Sequence, residues 1–239
     1  MTTIPLSFFE DLGNNFYKTF IVEDRYLTFL QGLGNTLLIS LFATLIGIAI
    51  GMIIAIVKVY HHQTGKWKVP NAICAAYTAV IRGTPMVVQL LIMYYLVFKS
   101  APANMSLFIA ILAFGFNSGA YVSEIVRGGI LAVDRGQMEA GRSLGLTQGQ
   151  TMKSIILPQA VKSVLPALGN EFITLLKETS VAGYIAVTDL TRAADLVRSR
   201  TFDGFFAYIS IAVVYFVLVM GISWLLRKAE RRLAKSDRR

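Results

Sequence analysis

The sequence predicts an all-α protein that crosses a membrane several times. Of its 239 residues 55% are hydrophobic and only 15% are charged, which is less charge than an ordinary soluble domain carries. The apolar residues form several charge-free runs of roughly 20 residues, the length that a helix needs to cross a bilayer. No alternating strand pattern and no internal repeat is evident in the sequence. These observations favour a polytopic bundle of helices.

Five membrane spans are predicted, at residues 33–57, 70–98, 105–124, 155–178 and 205–226. The first and the last are free of charge, and glycines and an asparagine before the first suit a helix entry. The fourth is the most polar, because it contains Lys162 and Glu171, and charged groups in a membrane helix are costly when they face lipid. We expect protein to shield that span.

The distribution of basic residues predicts the orientation of the chain. They crowd the C-terminus, as Arg227, Lys228, Arg231, Arg232, Lys235, Arg238 and Arg239. Basic residues favour the cytoplasmic side, so the C-terminus is predicted to be cytoplasmic and, with five spans, the N-terminus outside. The loops 58–69 and 127–154 are cytoplasmic on the same ground. Topology thus explains the formal charge of +9, and nucleic-acid binding is not expected.

Three segments are predicted: an external or interfacial segment at 1–28, a transmembrane domain at 29–229 and a basic cytoplasmic tail at 230–239. The start of the chain has no basic region followed by an apolar run and a cleavage site, so no removable signal peptide is expected. Cys74 is the only cysteine, which excludes a disulfide within the chain. His61 and His62 have no acid or cysteine nearby, so no metal site is expected. No catalytic constellation lies in the spans, and the chain is not expected to be an enzyme.

A short motif lies in the loop between the third and fourth spans. It is Glu139-Ala140-Gly141-Arg142-Ser143-Leu144-Gly145, followed at a distance by Ile155-Ile156-Leu157-Pro158. The small side chains of Ala140 and Gly141 let a partner approach a short helix closely, and Gly145 can end that helix in the left-handed conformation. Arg142 offers a charge to a partner. The pattern indicates a loop that a soluble protein can grip, against the alternative of an ordinary amphipathic loop.

This motif resembles the EAA loop of the permease subunits of ATP-binding cassette (ABC) importers, with Gly141 in place of the usual alanine. The resemblance extends from about residue 32 to residue 190 and identifies the polar amino acid branch, of the histidine, glutamate, glutamine and arginine type. The matching segments include Arg82-Gly83-Thr84-Pro85, Ala120-Tyr121-Val122-Ser123-Glu124, Arg127-Gly128-Gly129-Ile130, Gly169-Asn170-Glu171 and Lys177-Glu178-Thr179-Ser180.

The resemblance implies a five-helix permease core with cytoplasmic coupling helices, placed in the plasma membrane, which is the inner membrane of a bacterium. It implies as partners a second permease subunit, two cytoplasmic ATPase subunits and an external amino-acid-binding protein. The ATPase-coupling residues that it implies are Glu139, Ala140, Gly141, Arg142, Gly145, Leu157 and Pro158. The sequence has no GxxxxGK(S/T) phosphate loop. ATP and Mg are therefore expected in the ATPase subunits, and no cofactor is expected in this chain.

Polar residues within the spans are candidates for binding the amino acid. They are Arg82, Gln89, Asn117, Glu124, Lys177, Glu178 and Thr179. Arg82 could bind a substrate carboxylate through two hydrogen bonds, or it could pair with Glu124 or Glu171, or lie nearer the cytoplasmic interface. Glu178 with Lys177 or Arg82 would complement a zwitterion, unless Lys177 and Glu178 only mark the end of a membrane helix.

Small and neutral residues in the spans indicate close contacts between helices. Glycines stand four residues apart at Gly47 and Gly51 and at Gly115 and Gly119, a spacing that lets membrane helices approach closely. Gln89 and Asn117 could bind substrate by neutral hydrogen bonds or serve only to join helices. The pattern does not decide which helices meet.

An alternative function is that of a secondary transporter driven by an ion gradient, with Glu124, Glu171 or Glu178 as the coupling acid. The five predicted spans and the EAA-like loop favour the importer. The sequence leaves open which amino acid is carried and whether the second permease is an identical copy or a paralogue.

Overall fold

Helices form almost all of the described chain. The computed structural model describes residues 6–236, with the side chains of residues 10 and 12–232, and no strand occurs in that range. Its α-helices are α1 (Leu6–Phe16), α2 (Tyr26–Thr64), α3 (Lys68–Gly83), α4 (Met86–Ile92), α5 (Ser106–Leu131), α6 (Arg135–Ser143), α7 (Gln148–Thr151), α8 (Leu157–Glu178), α9 (Leu190–Thr201) and α10 (Gly204–Ser236). Wider π turns lie at Tyr17–Ile21, Met93–Val97 and Met152–Ile156, and tighter 3-10 turns at Val22–Asp24, Ala103–Met105 and Thr179–Ile185. The prediction of an all-α fold is confirmed.

Within residues 6–236, three helical segments are long and apolar enough to cross a membrane: Tyr26–Thr64, Ala103–Leu131 and Gly204–Arg232. A fourth arises if α3 and the helical stretch to Val97, which are bent by 110° relative to each other, are one broken span. α8 is not among them, since it carries the charges that make residues 155–178 the most polar of the predicted spans. The prediction of several membrane-crossing helices is confirmed, whereas a crossing by α8 stays a prediction.

Glycines allow α2 to pack closely along α5. A Cβ at Gly51 would lie 2.5 Å from Cγ1 of Val122, and a Cβ at Gly119 would lie 2.8 Å from Cγ2 of Ile50. The other glycine of each pair makes an equally close contact one turn earlier. The glycines of α2 therefore contact α5, and those of α5 contact α2. Both pairs lie in one interface, where the two backbones approach closely.

The helix predicted across residues 70–98 is broken at Thr84–Pro85. Proline has no N–H to donate and interrupts a helix, so carbonyl groups at the end of α3 lose their usual partners. Nε2 of Gln89 donates to the carbonyl of Ile81 at 2.7 Å and to the carbonyl of Thr84 at 3.0 Å. The protein thus supplies hydrogen bonds to the break, as backbone in a membrane requires.

The connection between α8 and α9 is tied to the start of α2. Nδ2 of Asn35 donates to the carbonyl of Thr188 at 2.8 Å. Asp189 is fully buried and caps α9 by accepting the N–H groups of Thr191 and Arg192. Burial raises the pKa of Asp189, while those two N–H donors act in the opposite direction. These contacts fix the short helix α9, which lies between α8 and α10.

Residues 1–5 and 237–239 lie outside the described part of the chain. The expectation about a signal peptide and the last two arginines of the basic tail, Arg238 and Arg239, fall on those residues. The rest of the predicted N-terminal segment, 1–28, is formed by α1, two short turns and the beginning of α2.

Candidate functional site

The motif around Glu139 lies in a helical hairpin, residues 135–156, which is called the Gly145 hairpin below. Its first helix, α6, begins after Asp134, whose Oδ1 accepts the N–H of Gly136 at 2.6 Å. This is an N-cap contact, which satisfies a donor that the first helical turn leaves free. A defined cap makes the hairpin a folded element instead of an irregular loop.

A Schellman turn closes α6. The N–H of Gly145 donates to the carbonyl of Arg142 at 3.0 Å, and the N–H of Leu146 donates to that of Gly141 at 3.2 Å. Gly145 has a φ of 82°, in the left-handed region that favours glycine. Nη1 of Arg142 also donates to the carbonyl of Leu146 at 3.0 Å. The glycine at this position is therefore required by the backbone conformation.

The chain returns from the turn directly into α8. Thr147 and Gln150 form a capping box at the start of α7, and the π turn Met152–Ile156 follows. Leu157 and Pro158 open α8 and are both exposed. A π turn widens the helix just before proline, whose ring and missing N–H fit poorly into a regular helix. The hairpin and α8 are thus one continuous helical path.

One side of α6 is packed and the other is free. Gly141 is buried, and a Cβ there would lie 2.5 Å from Cγ2 of Thr151 in α7, the second helix of the hairpin. The remaining predicted coupling residues of the hairpin are exposed, namely Glu139, Ala140, Arg142 and Gly145. Leu144 is 81% exposed at the tip. Sequence analysis did not single out Leu144, although an apolar residue between Ser143 and Gly145 was the available signal.

Glu124 lies in an ion cluster that joins three helices. Its Oε1 accepts Nζ of Lys58 at 2.7 Å, and its Oε2 accepts Nη2 of Arg127 at 2.7 Å. Lys58 Nζ also donates to Oγ1 of Thr78 at 2.8 Å. The cluster therefore connects α2, α3 and α5. A cavity of about 550 Å³ beside it is also lined by His61 and His62 at the end of α2, by Gly65 and by Asn71 of α3.

The two amides predicted as candidates meet each other. Nδ2 of Asn117 on α5 donates to Oε1 of Gln89 on α4 at 3.0 Å, and both side chains are buried. The opposite end of Gln89 is occupied by the backbone at the break after α3. This arrangement is that of a helix-joining contact, the second of the two roles that the sequence allows.

Arg82 sits exposed near the end of α3, one turn before the break. Its guanidinium lies over the ring of Tyr121, 5.5 Å from the centroid, in a cation–π contact. Within the described chain it forms no ion pair with Glu124, whose oxygens bind Lys58 and Arg127 instead, or with Glu171, whose Oε1 accepts Ser118 Oγ at 3.0 Å.

The remaining candidates lie at the far end of α8. Thr179 is fully buried, and its Oγ1 donates to the carbonyl of Leu176 at 2.8 Å. Lys177 is exposed and Glu178 is half-buried, and within residues 6–236 neither is engaged in a hydrogen bond or an ion pair. The structure does not bring Arg82 into contact with Glu178. Among the described residues, no cluster of three histidine, cysteine, aspartate or glutamate side chains could hold a metal ion.

Comparisons with known proteins agree with this architecture. Residues 47–235 match the family described as the inner membrane component of binding-protein-dependent transport systems. The arginine transport system permease protein ArtQ of Bacillus subtilis is 37% identical over 87% of this chain and 93% of its own length. The glutamine transport system permease protein GlnP of Escherichia coli K12 is 34% identical over 81% of this chain and 89% of its own length.

A solved structure extends the likeness to three dimensions. A chain of an amino acid ABC transporter crystallised with histidines superposes with a TM-score of 0.81 at 43% identity, covering 89% of this chain and 98% of that one. Fold and relatives together define the class: a polytopic membrane permease of a transport system, and not an enzyme. The chain belongs to the family of inner membrane components of binding-protein-dependent transport systems, the permease subunits of ABC importers. The resemblance that the motifs indicate is confirmed, and these matches give no support to the secondary-transporter alternative.

Proposed function

We propose that this chain forms half of the path by which an ABC importer carries a polar amino acid through the plasma membrane into the cell. The observation that carries the proposal is the Gly145 hairpin, a capped helical element that exposes most of its motif residues and continues directly into α8. The names of the relatives, which refer to arginine and glutamine transport, support a polar amino acid as cargo.

The partners in this proposal are a second permease subunit, two cytoplasmic ATPase subunits that hold ATP and Mg, and an external amino-acid-binding protein. The ATPases close on ATP and move the Gly145 hairpin of each permease, so that the path opens outward. The binding protein then delivers the amino acid, and ATP hydrolysis resets the path inward. The N-terminus is outside and the C-terminus cytoplasmic.

Contacts within the chain support a mechanical role for the hairpin. Ile156 at its end is buried with Ala160 and Val164 of α8 against α5. A Cβ at Gly129 of α5 would lie 2.3 Å from Cγ2 of Val164, so α8 and α5 are in close contact at this level. A displacement of the hairpin is thus transmitted to tightly packed helices, since well-packed interfaces shift as units instead of deforming gradually.

Glu178 is the residue that best suits a substrate ammonium group in this proposal, because no other described residue occupies its carboxylate by a hydrogen bond or an ion pair. Lys177 or Arg82 supplies a cation for the substrate carboxylate. Gln89, Asn117, Glu124 and Thr179 act in support of the path, since each already makes a hydrogen bond or an ion pair with a neighbouring residue.

The cargo is tested in the assembled complex with its binding protein in proteoliposomes, by measuring ATPase stimulation and uptake across a panel of amino acids. We expect stimulation by one or a few polar amino acids and no transport without the ATPase subunits. Uptake by the purified chain alone under an ion gradient contradicts the proposal. Stimulation only by apolar amino acids contradicts the assignment of the cargo.

The role of the hairpin is tested by Gly145→Ala, with Gly149→Ala as the matched control in the same hairpin. Both positions leave open space for a Cβ, but only Gly145 has a positive φ, and a non-glycine residue there costs about 1 kcal/mol. We expect Gly145→Ala to weaken ATPase association and uptake, measured by co-purification and transport assay, whereas Gly149→Ala retains both. Equal behaviour of the two variants contradicts the docking role.

A further inference from the structure

The end of α10 changes from apolar to basic without a break in the helix. α10 runs from Gly204 to Ser236, and its first part forms a charge-free predicted span. Just after that span, Arg227, Lys228, Arg231 and Arg232 are all exposed. These basic residues are therefore held in fixed helical positions just beyond the end of the predicted span.

The two sides of this part of α10 differ. Leu226 packs on α8, where a Cβ at Gly169 would lie 2.5 Å from its Cδ2, and Glu230 lies one turn later on the same side and is half-buried. Residues three, four and seven apart share a helix face. By this spacing Trp224, Lys228 and Arg231 lie on the opposite side, away from α8.

On this outer side, a shallow cavity of about 390 Å³ lies between side chains of α10 alone, namely Trp224, Arg227, Lys228, Arg231 and Arg232. Nζ of Lys228 lies 5.1 Å from the centroid of the Trp224 ring. Among the described residues, the lining carries four cations and no carboxylate, and none of the four forms an ion pair. Among the described side chains, the cavity is therefore a concentration of positive charge without a counterion.

The chemistry of the lining suits a phosphate group attached to a lipid. Arginine binds phosphate oxygens through two parallel hydrogen bonds, and tryptophan favours the membrane interface. Towards the membrane, the same helix face continues through exposed apolar side chains, namely Val213, Val217 and Met220. A soluble anion would use only the cations, whereas a lipid would use the cations and the apolar stripe together.

We propose that the outer face of α10 from Val213 to Arg232 binds an anionic phospholipid. The headgroup phosphate lies in the cavity beside Trp224, and an acyl chain lies along the apolar stripe. The inference goes beyond the proposed function and does not depend on which amino acid is carried. Such a site fixes the end of α10 at the membrane surface, through the attraction of basic residues next to a span to anionic lipid.

Trp224 makes the site measurable. The chain has two tryptophans, so Trp67→Phe leaves Trp224 as its only indole. In this background the variant chain is reconstituted with its partner subunits, after the tryptophans of those subunits have been replaced. Fluorescence quenching is then compared between phosphatidylglycerol and phosphatidylcholine with brominated acyl chains, each added at a low mole fraction to unlabelled phosphatidylcholine. We expect the brominated phosphatidylglycerol to quench Trp224 at a mole fraction several times lower.

The matched variants are Arg227→Gln/Arg231→Gln in the cavity and Lys66→Gln/Lys68→Gln at the junction of α2 and α3, each removing two charges. In the cavity variant the preference is expected to fall by about 30-fold, at about 1 kcal/mol for each of the two charges removed, whereas the control variant is expected to keep it. The proposal is overturned if both lipids quench equally, if the cavity variant keeps the preference, or if the control loses it equally. It is also overturned if quenching is absent because a partner protein covers Trp224. Displacement of the lipid by millimolar inorganic phosphate overturns it as well, since it identifies a soluble anion as the occupant.

Discussion

Glu124 forms two ion pairs inside the bundle, since one carboxylate binds both Lys58 and Arg127. The side chain of Lys58 is only 11% exposed, so its ammonium depends on protein partners. Removal of one partner from a buried pair leaves an uncompensated charge. We expect Glu124→Gln to destabilise the chain by about 1–3 kcal/mol, observed as a lower apparent Tm of the purified complex.

The control for this prediction is a double-mutant cycle with Lys58→Met. The double variant is expected to lose less than the sum of the two single losses, with a coupling energy of about 1 kcal/mol or more. Strict additivity contradicts a direct contribution of the ion pair. The partly exposed Arg127 keeps solvent as a partner in every variant.

Sequence reasoning at the residue scale predicted which polar residues are unusual better than it predicted their partners. Arg82 and Glu124 stand out because charges in apolar sequence are rare, but Arg82 contacts Tyr121 and Glu124 contacts Lys58. Lys58 follows directly after the first predicted span, so the sequence places it in the basic cytoplasmic loop. Partners that are distant in sequence depend on how the helices cross, and a single sequence contains no direct signal for that.

For Gln89, in contrast, the sequence indicates one of the contact partners. Pro85 indicates a helix break and therefore free carbonyl groups, so a nearby amide donor has a predictable use. Gln89 stands four residues after Pro85, and its Nε2 reaches the carbonyls of Ile81 and Thr84. The local part of this site could be predicted from the sequence, whereas the contact with Asn117 could not.

At the scale of elements, the hairpin places Gly141 against Thr151. The resemblance leads one to expect alanine at position 141, but a Cβ there would lie 2.5 Å from Cγ2 and 2.9 Å from Oγ1 of Thr151. We expect Gly141→Ala to destabilise the hairpin by about 1–3 kcal/mol, despite the higher helix propensity of alanine. Reduced co-purification of the ATPase subunits and a lower apparent Tm measure the effect.

Thr151→Ala removes both contacting atoms and provides the rescue. The double variant Gly141→Ala/Thr151→Ala is expected to bind the ATPase subunits better than Gly141→Ala alone. If the loss in the double variant equals the sum of the losses in the two single variants, the close contact is not the cause of the defect. The result also decides whether the glycine in this motif is matched to the threonine ten residues later.

The α2–α5 interface yields a second prediction at this scale. Gly51→Ala places a Cβ 2.5 Å from Val122 Cγ1 and 2.9 Å from the backbone nitrogen of Ser123, and the backbone atom cannot move aside alone. We expect a loss of about 1–3 kcal/mol, as for overpacked cores. Thermal unfolding of the purified complex gives the measurement.

Gly34→Ala in the same helix is the matched control, because nothing lies within 4 Å of a Cβ at that position. We expect its apparent Tm to stay equal or to rise slightly, since alanine favours the helix. A comparable loss in Gly34→Ala assigns the effect to helix flexibility and contradicts close packing as the reason for Gly51.

The elements were predictable where local rules decide them. The long apolar runs predict α2, α5 and α10, and glycine and capping residues predict the turn of the hairpin. The 110° bend between α3 and the helical stretch that ends at Val97 is a different case, because Pro85 predicts a break but not its angle. The angle depends on what packs around the break, which the local sequence does not specify.

At the scale of the whole molecule, α8 separates two functions. Its 22 residues from Leu157 to Glu178 span about 33 Å at 1.5 Å per residue. The Gly145 hairpin is continuous with one end, and Glu178 lies at the other. In the proposed function, one end is moved by ATPase subunits and the other faces the amino acid, so the two ends govern different measurable properties.

We therefore expect two separable phenotypes in the reconstituted complex. Gly145→Ala is expected to lower the amount of amino acid transported per ATP hydrolysed without changing the order of preference among amino acids. Glu178→Ala is expected to lower the stimulation of ATPase activity by the preferred amino acid about tenfold or more, because a charge-assisted hydrogen bond contributes about 1.5–3 kcal/mol, while ATPase association is retained. Glu178→Gln keeps the size of the side chain and serves as the control for its charge.

The double variant Gly145→Ala/Glu178→Ala then tests the separation itself. Sites this far apart without shared contacts usually contribute independently to stability, within about 0.5 kcal/mol, so the apparent Tm of the double variant is expected to follow the sum of the single effects. Transport is a coupled process, and the two ends of α8 must act on one equilibrium between outward and inward states. We therefore expect the uptake defects to combine non-additively while the stability effects add. If a change at Glu178 also abolishes ATPase association, Glu178 is a structural residue at the end of α8, and the amino acid is bound elsewhere in the path.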